Sequence, residues 1–283
     1  MYIQRFKPNL LGRDFVCGDI HGSLSCLMKF LEEINFNFET DRFFCCGDLI
    51  DRGPSNEECL ELLFESWFFM VRGNHEELMS DYFSDSYMGI WWPRNGGNWG
   101  THYKRENSDL ALFVKDAVEK INSLPHLITV EKRDGGIFHI IHAELHSDTP
   151  LTDDILASEE ELRKYADVQT PDGNFINWGR KIFYYLYNKH LDEHCINKFI
   201  RYAELEKIDA LFGPELSHIY SGHTNVRHAI TFKGQTNLDT QAYKSYDTNP
   251  EVYCGLTVTE PSTGLFWFAN DREFKEIKPI VIE

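Results

Sequence analysis

Gly18-Asp19-Ile20-His21-Gly22, Gly47-Asp48-Leu49-Ile50-Asp51-Arg52-Gly53 and Arg72-Gly73-Asn74-His75-Glu76 are the stretches that decide how this chain folds. Each closes a short apolar run, at residues 14–17, 42–46 and 67–71 respectively. After the first run, Leu24, Leu27, Met28 and Leu31 fall at helical spacing with Ser23 as the N-cap, and after the second Cys59, Leu62 and Leu63 share one helical face. Strand and helix alternate, the pattern of parallel strands joined by right-handed crossovers. Strands this uniformly apolar belong in a sheet covered on both faces. The motifs lie 48 − 19 = 29 and 74 − 48 = 26 residues apart, about one β-α unit each. Open α/β sheets bind ligands at the carboxyl ends of their strands, so the three loops should bring Asp19, His21, Asp48 and Asn74 to one edge.

Further along, residues 91–100 form an aromatic and glycine-rich loop. Leu110, Phe113, Val114, Ala117, Val118 and Ile121 then mark a helix. Residues 127–142 read as a hairpin turning at Asp134-Gly135-Gly136. Segment 144–172 is acidic and reads as an exposed excursion, 181–212 reads as a helical insertion, and from 218 onward short β runs suggest an antiparallel region. With no repeat, low-complexity tract or linker, the expectation is a single domain over 1–283 with its core at about 14–260.

Composition narrows the function. The 28 basic and 45 acidic residues give a net charge of −17, which disfavours binding to nucleic acid. No stretch approaches the roughly 18 apolar residues of a membrane span, and the N-terminal residues hold no uninterrupted apolar segment. Seven cysteines, several within apolar runs, fit buried reduced thiols better than a disulfide framework. A cytoplasmic protein is expected; its oligomeric state stays open.

Carboxylates, an imidazole and an amide oxygen gathered at one edge are hard or borderline ligands suited to manganese, iron, zinc or magnesium. Without a cation, facing carboxylates beside an apolar sheet would repel and lose hydration. His142 and His223 each follow another short β run, and the same edge can use them for a second ion. Two ions about 3.5–4 Å apart clamp a phosphoryl group and arm a water against phosphorus. The leaving alkoxide then needs a proton, for which His75 is the chosen donor, with Asp51 holding its imidazole. Arg52 offers a planar fork to phosphate oxygens.

The three motifs together resemble the signature of the phosphoprotein phosphatase family within the calcineurin-like metallophosphoesterases, most closely its bacteriophage lambda type. Asn95-Gly-Gly97, Ile141-His-Ala143, Trp178-Gly-Arg180, Ser221-Gly-His-Thr224 and Tyr253-Cys-Gly-Leu256 extend the likeness in order, over roughly residues 14–260. The resemblance implies a four-layer α/β/β/α sandwich with two mixed sheets. It implies that Asp19, His21 and Asp48 hold one metal, that Asp48 bridges to a second, and that Asn74, His142 and His223 complete it. Manganese is the first choice of metal. Arg52 and Arg180 correspond to the phosphate-binding arginines, and His75 with Asp51 to the general-acid pair. The implied activity is hydrolysis of phosphoserine and phosphothreonine in proteins or peptides, with phosphotyrosine or aryl phosphates also in range. A dinucleoside polyphosphate hydrolase is the alternative, with a non-catalytic scaffold behind it.

Departures from the family bear on substrate choice. Leu238-Asp239-Thr240-Gln241 carries Gln241 where the family often has glycine, and the chain is longer between Arg180 and His223. Asn95 fits either a substrate contact or a turn cap. Trp91, Trp92 and Trp99 fit either an entrance or a local core. Glu76 reads as a first-turn helix acid, and His139 as structural.

Overall fold

In the computed structural model, residues 2–145, 147, 149–169, 173–180, 182, 213, 215–245 and 254–282 are described. Their strands are β1 (Ile3–Phe6), β2 (Asp14–Cys17), β3 (Arg42–Cys45), β4 (Phe68–Met70), β5 (Leu127–Glu131), β6 (Ile137–Ile141), β7 (His218–Ser221), β8 (Ile230–Phe232), β9 (Gln235–Asn237), β10 (Leu256–Glu260), β11 (Leu265–Ala269), β12 (Phe274–Ile277) and β13 (Ile280–Ile282). The helices are α1 (Leu24–Glu33), α2 (Asn56–Glu61), α3 (Asn74–Phe83), α4 (Asp109–Asn122), α5 (Asp153–Ala157), α6 (Glu159–Ala166) and α7 (Phe175–Trp178).

The strands form two mixed sheets, ordered β12-β11-β10-β2-β3-β4 and β1-β5-β6-β7-β9-β8-β13. In the first, β2, β3 and β4 are parallel, as the repeated strand-helix pattern requires, and β10 to β12 close it antiparallel. In the second, β5 and β6 form the expected hairpin, while β6, β7 and β9 run parallel. The region after 218 is therefore mixed, because β7 and β9 pair side by side with β8 folded back between β9 and β13.

Alternation along β2 and β3 explains the layering. Phe15 and Phe43 face one side, where Phe30 of α1, Met79 of α3 and Val114 of α4 cover them. Val16 and Phe44 face the other, against Ile128, Phe138 and Ile140 of the second sheet. The outer face of that sheet, with Leu127, Ile141 and Ile219, is covered by Leu156 of α5, Leu162 of α6 and Ile176 of α7. Three apolar interfaces separate four layers, the α/β/β/α sandwich.

Three expectations change. In its described residues the acidic segment at 144–172 is no excursion: the charges of α6 face outward, while Leu151, Leu156, Leu162 and Ala166 are buried and form the outer layer. A helix needs only one apolar stripe for this. The fold also extends past 14–260, since β1, β12 and β13 supply three of the four sheet edges. Ser23 precedes α1 as expected, but its hydroxyl makes no capping bond. The helical insertion expected at 181–212 falls outside the described residues, apart from Ile182, as does Tyr253. Among the described residues, no helix is long and apolar enough to cross a membrane.

Candidate active site

Each motif leaves its strand at the carboxyl end, and the loops are so close that they hydrogen-bond to one another. The His21 amide donates to the Asp48 carbonyl at 2.9 Å, and the Gly53 amide to the His21 carbonyl at 3.0 Å. Such tight turns hold His21, Asp48, Asp51, Arg52 and His223 at positive φ, between 48° and 75°. Left-handed backbone is costly for these residues and collects at functional sites. The second sheet closes in from the other side. A Cβ at Gly222 would lie 1.9 Å from Asp19 Oδ1, so only glycine lets the loop after β7 pass this carboxylate. Both Asp19 oxygens accept the His223 amide, at 3.0 and 3.1 Å.

The resulting centre is polar and almost dry. Asp19, His21, Asp48, Asn74, His75, His142 and His223 are each no more than 3% exposed. Burial pushes the Asp19 carboxyl well above its usual range, with Asp239 and Asp48 adding repulsion. Burial acts on Asp48 in the same direction, but His142, His75, His21 and His223, once protonated in acid, outweigh it and hold this carboxyl low. His21, His142 and His223 are all lowered, first by burial, so their imidazoles are neutral at neutral pH.

Neutral imidazoles leave the centre able to hold a cation. His21 donates Nδ1–H to the Ile50 carbonyl at 2.8 Å, and His142 donates Nδ1–H to the Cys46 carbonyl at 2.7 Å. Each Nε2 therefore carries a bare lone pair. His142 Nε2 lies 2.9 Å from Asn74 Oδ1, 3.2 Å from His223 Nδ1 and 3.4 Å from Asp48 Oδ1. His223 Nε2, the other ring nitrogen, is buried without a partner. Acceptors crowded in this way repel unless a positive ion sits among them. Two groups, His21-Asp48-His75 and Asp48-His142-His223, each keep their ligand atoms within 4.8 Å of one another, and Asp48 belongs to both.

The comparisons agree with this geometry. The model of the calcineurin-like phosphoesterase family matches residues 15–227. The chain belongs to that family. Serine/threonine-protein phosphatase 1 of Salmonella typhimurium is 33% identical over 241 residues, covering 84% of this chain and 91% of that protein. Serine/threonine-protein phosphatase 2 of the same organism is 37% identical over 139 residues, 48% of this chain and 60% of that one. Among solved structures, a candidate diadenosine tetraphosphatase aligns at a TM-score of 0.54 with 18% identity, over 97% of this chain and 98% of that one. The cold-active protein-tyrosine phosphatase of a Shewanella species aligns at 0.51 with 15% identity, over 97% and 82%. At such identities these two likenesses speak to fold alone.

Within this calcineurin-like phosphoesterase, nine of the sequence-derived residues meet: Asp19, His21, Asp48, Asp51, Arg52, Asn74, His75, His142 and His223. His75 donates Nδ1–H to Asp51 Oδ2 at 2.6 Å. The Arg52 guanidinium spans two rings, with Nη1 2.6 Å from His21 Nε2 and Nη2 2.8 Å from His75 Nε2. Arg180 arrives from the end of α7 and donates to the His223 carbonyl at 2.9 Å. Asp19 stands apart from the compact ligand groups, 3.9 Å from His21 Nε2, and His75 fills the place expected for it. Asn95 turns away: its amide donates to the Trp91 carbonyl at 2.9 Å and caps a turn.

Three residues take parts beyond those their sequence suggested. Glu76 is buried and accepts the amides of Asp48, Leu49 and Gly73 at 2.9, 2.9 and 3.0 Å, bracing the second loop against the third. Burial and the Asp48 charge push its carboxyl up to about 7. Trp92 and Trp99 both donate indole N–H to Asp51. The glycines interleaved with those tryptophans were the only trace of this in the sequence. His139 is structural, hydrogen-bonded to Thr129 at 2.9 Å and Asp153 at 3.0 Å.

Proposed function

We propose that this calcineurin-like phosphoesterase is a metal-dependent phosphomonoesterase acting on phosphoserine and phosphothreonine in proteins or peptides, with phosphotyrosine in range. The observation that carries the reading is Asp48 itself, which lies within ligand reach of His21 on one side and of His142 and His223 on the other. Asp19, His21 and Asp48 would hold one divalent ion, and Asp48, Asn74, His142 and His223 a second. Manganese suits this mixture of carboxylate, amide and imidazole, with iron, zinc or magnesium as alternatives. When bound, such a pair offsets charge on phosphoryl oxygens and lowers the pKa of water towards neutrality.

The chain's own residues do the rest. Arg52 and Arg180 bind phosphate oxygens, Arg52 through a fork suited to two of them. The His21 Nε2 lone pair serves either a guanidinium proton or a cation, never both, so Arg52 is free to turn to the substrate when a cation takes that nitrogen. As an imidazolium held through Nδ1–H by Asp51, and with Arg52 turned from its Nε2 to the substrate, His75 donates the Nε2 proton to the departing alkoxide and is left neutral, with Nδ1 still protonated. The 33% identity to a serine/threonine-protein phosphatase over 91% of that protein supports the choice of substrate. Buried thiols at Cys17, Cys26, Cys45, Cys46, Cys59 and Cys254 fit a reducing cytoplasm.

Turnover of a phosphoseryl peptide against diadenosine tetraphosphate, both with manganese, tests the substrate class. Preference for the peptide is expected, and preference for the dinucleotide would overturn it. His75→Asn should keep both metals and lower turnover of the peptide by roughly 10²–10⁴, the range of a general acid. The loss should be smaller on 4-nitrophenyl phosphate, whose leaving group barely needs a proton; equal losses remove the proton-donor role.

A further inference from the structure

The Asp51 carboxylate is completely buried and accepts three hydrogen bonds. One comes from His75 Nδ1. The second comes from Trp92 Nε1 to Oδ2 at 3.0 Å, and the third from Trp99 Nε1 to Oδ1 at 2.7 Å. An indole N–H is a donor only, with no alternative protonation state in water. Both oxygens of Asp51 are therefore fixed by groups from outside its own motif, and what remains of Oδ2 points at His75.

The aromatic and glycine-rich loop builds this clamp. Residues 87–104 run as successive short 3₁₀ turns, Tyr87–Trp91, Pro93–Asn95, Gly97–Trp99 and Thr101–Lys104. Trp92 is fully buried between the rings of Tyr82, Phe83 and Trp99, at centroid distances of 5.3, 6.0 and 5.8 Å. A Cβ at Gly97 would stand 2.3 Å from Trp92 Nε1, so glycine is required for the chain to pass over the indole. Packing this tight leaves the ring one orientation.

We propose that Trp92 and Trp99 are positioning residues for phosphate ester cleavage: their indole N–H groups lock Asp51 so that it presents His75 with Nε2 facing the leaving group. The inference rests on the reading of His75 as proton donor. A carboxylate held by one partner can rotate about its Cβ–Cγ bond, and a proton donor misplaced by a fraction of an ångström loses its advantage. The indoles touch neither substrate nor metal ligand in this role; they act through Asp51 and His75.

Trp99→Phe, made in the full chain and assayed with manganese, keeps a ring and removes the N–H. It should lower kcat on a phosphoseryl peptide roughly tenfold, the size of one hydrogen bond to a charged group, with KM unchanged. On 4-nitrophenyl phosphate the change should stay within about twofold, because little proton donation is needed. In a His75→Asn background it should cause no further loss, since its route is already closed. Gly97→Ala, which displaces the Trp92 indole without deleting a donor, should show the same split between substrates. Equal losses on both substrates, a multiplicative loss in the double variant, or no loss on the peptide would overturn the proposal. Equal losses for His75→Asn alone would instead remove the proton-donor reading, so the two failures are distinguishable.

Discussion

Val16 and Phe44 lie within β2 and β3, between the two sheets, and Asp19 and Asp48 lie three and four residues later, in the loops that leave those strands. All four are buried, none more than 2% exposed. For the first pair burial is the source of stability, since apolar surface leaves water at about 25 cal/mol per Å². For the second it is a cost, visible in Asp19 driven above its usual range and in three imidazoles driven below theirs. The two sheets therefore stabilise the molecule at their middle and concentrate unfavourable burial at their edge, where a bound cation would relieve it.

That contrast can be broken by experiment. The largest effect is expected at Asp48, which both proposed ion sites share. Asp48→Asn should cost both metals, measured by elemental analysis, and at least about 10³ in activity, as expected when metal charge stabilisation is lost. A variant that keeps two metals would refute the bridging role. Phe44→Ala is the converse: it should lower unfolding stability by about 3–5 kcal/mol in urea yet leave metal content unchanged. Loss of metal with unchanged stability would erase the distinction between middle and edge.

A third effect is acid sensitivity away from the centre. Burial lowers His126 to about 4 and His218 to about 4, against 6.5 for the free side chain. The unfolded chain then binds more protons than the folded one between pH 4 and 6.5, so stability should be full above 6.5 and decline as pH falls to 4. His126→Gln should make that decline shallower in pH-dependent urea melts; an unchanged slope would show that this histidine carries none of it. The smallest effect belongs to Gln241, where the backbone is left-handed at φ 62°. Gln241→Gly relieves this conformation but gives up the bond from Lys244, so stability should shift by less than about 1 kcal/mol. A larger loss would mean that the side chain anchors the loop.

The half of the site on the first sheet was readable from the sequence because it is local. Asp19, Asp48 and Asn74 each follow a strand by a few residues, and the β-α spacing alone places them together. His142 and His223 follow β6 and β7, and their order along the chain says nothing of the 3.2 Å between them. The acidic segment was misread for a related reason: charge dominates its composition, whereas its layer is set by a few leucines at helical spacing. Asn95 fitted a substrate contact and a turn cap equally well as a residue type, and its hydrogen bond to the Trp91 carbonyl is the turn cap.

Periodicity and motif spacing by themselves determined the parallel strands, the edge at which the loops gather and the chemistry of the side chains gathered there, because these follow from contacts between residues close in the chain. Only the tertiary structure decided which neutral nitrogen faces which, how Glu76 braces two loops, and that two indoles 41 and 48 residues from Asp51 hold its carboxylate. Hydrogen bonds are directional and short, and no pattern of residue types specifies a direction between segments that meet only after the sheets have packed.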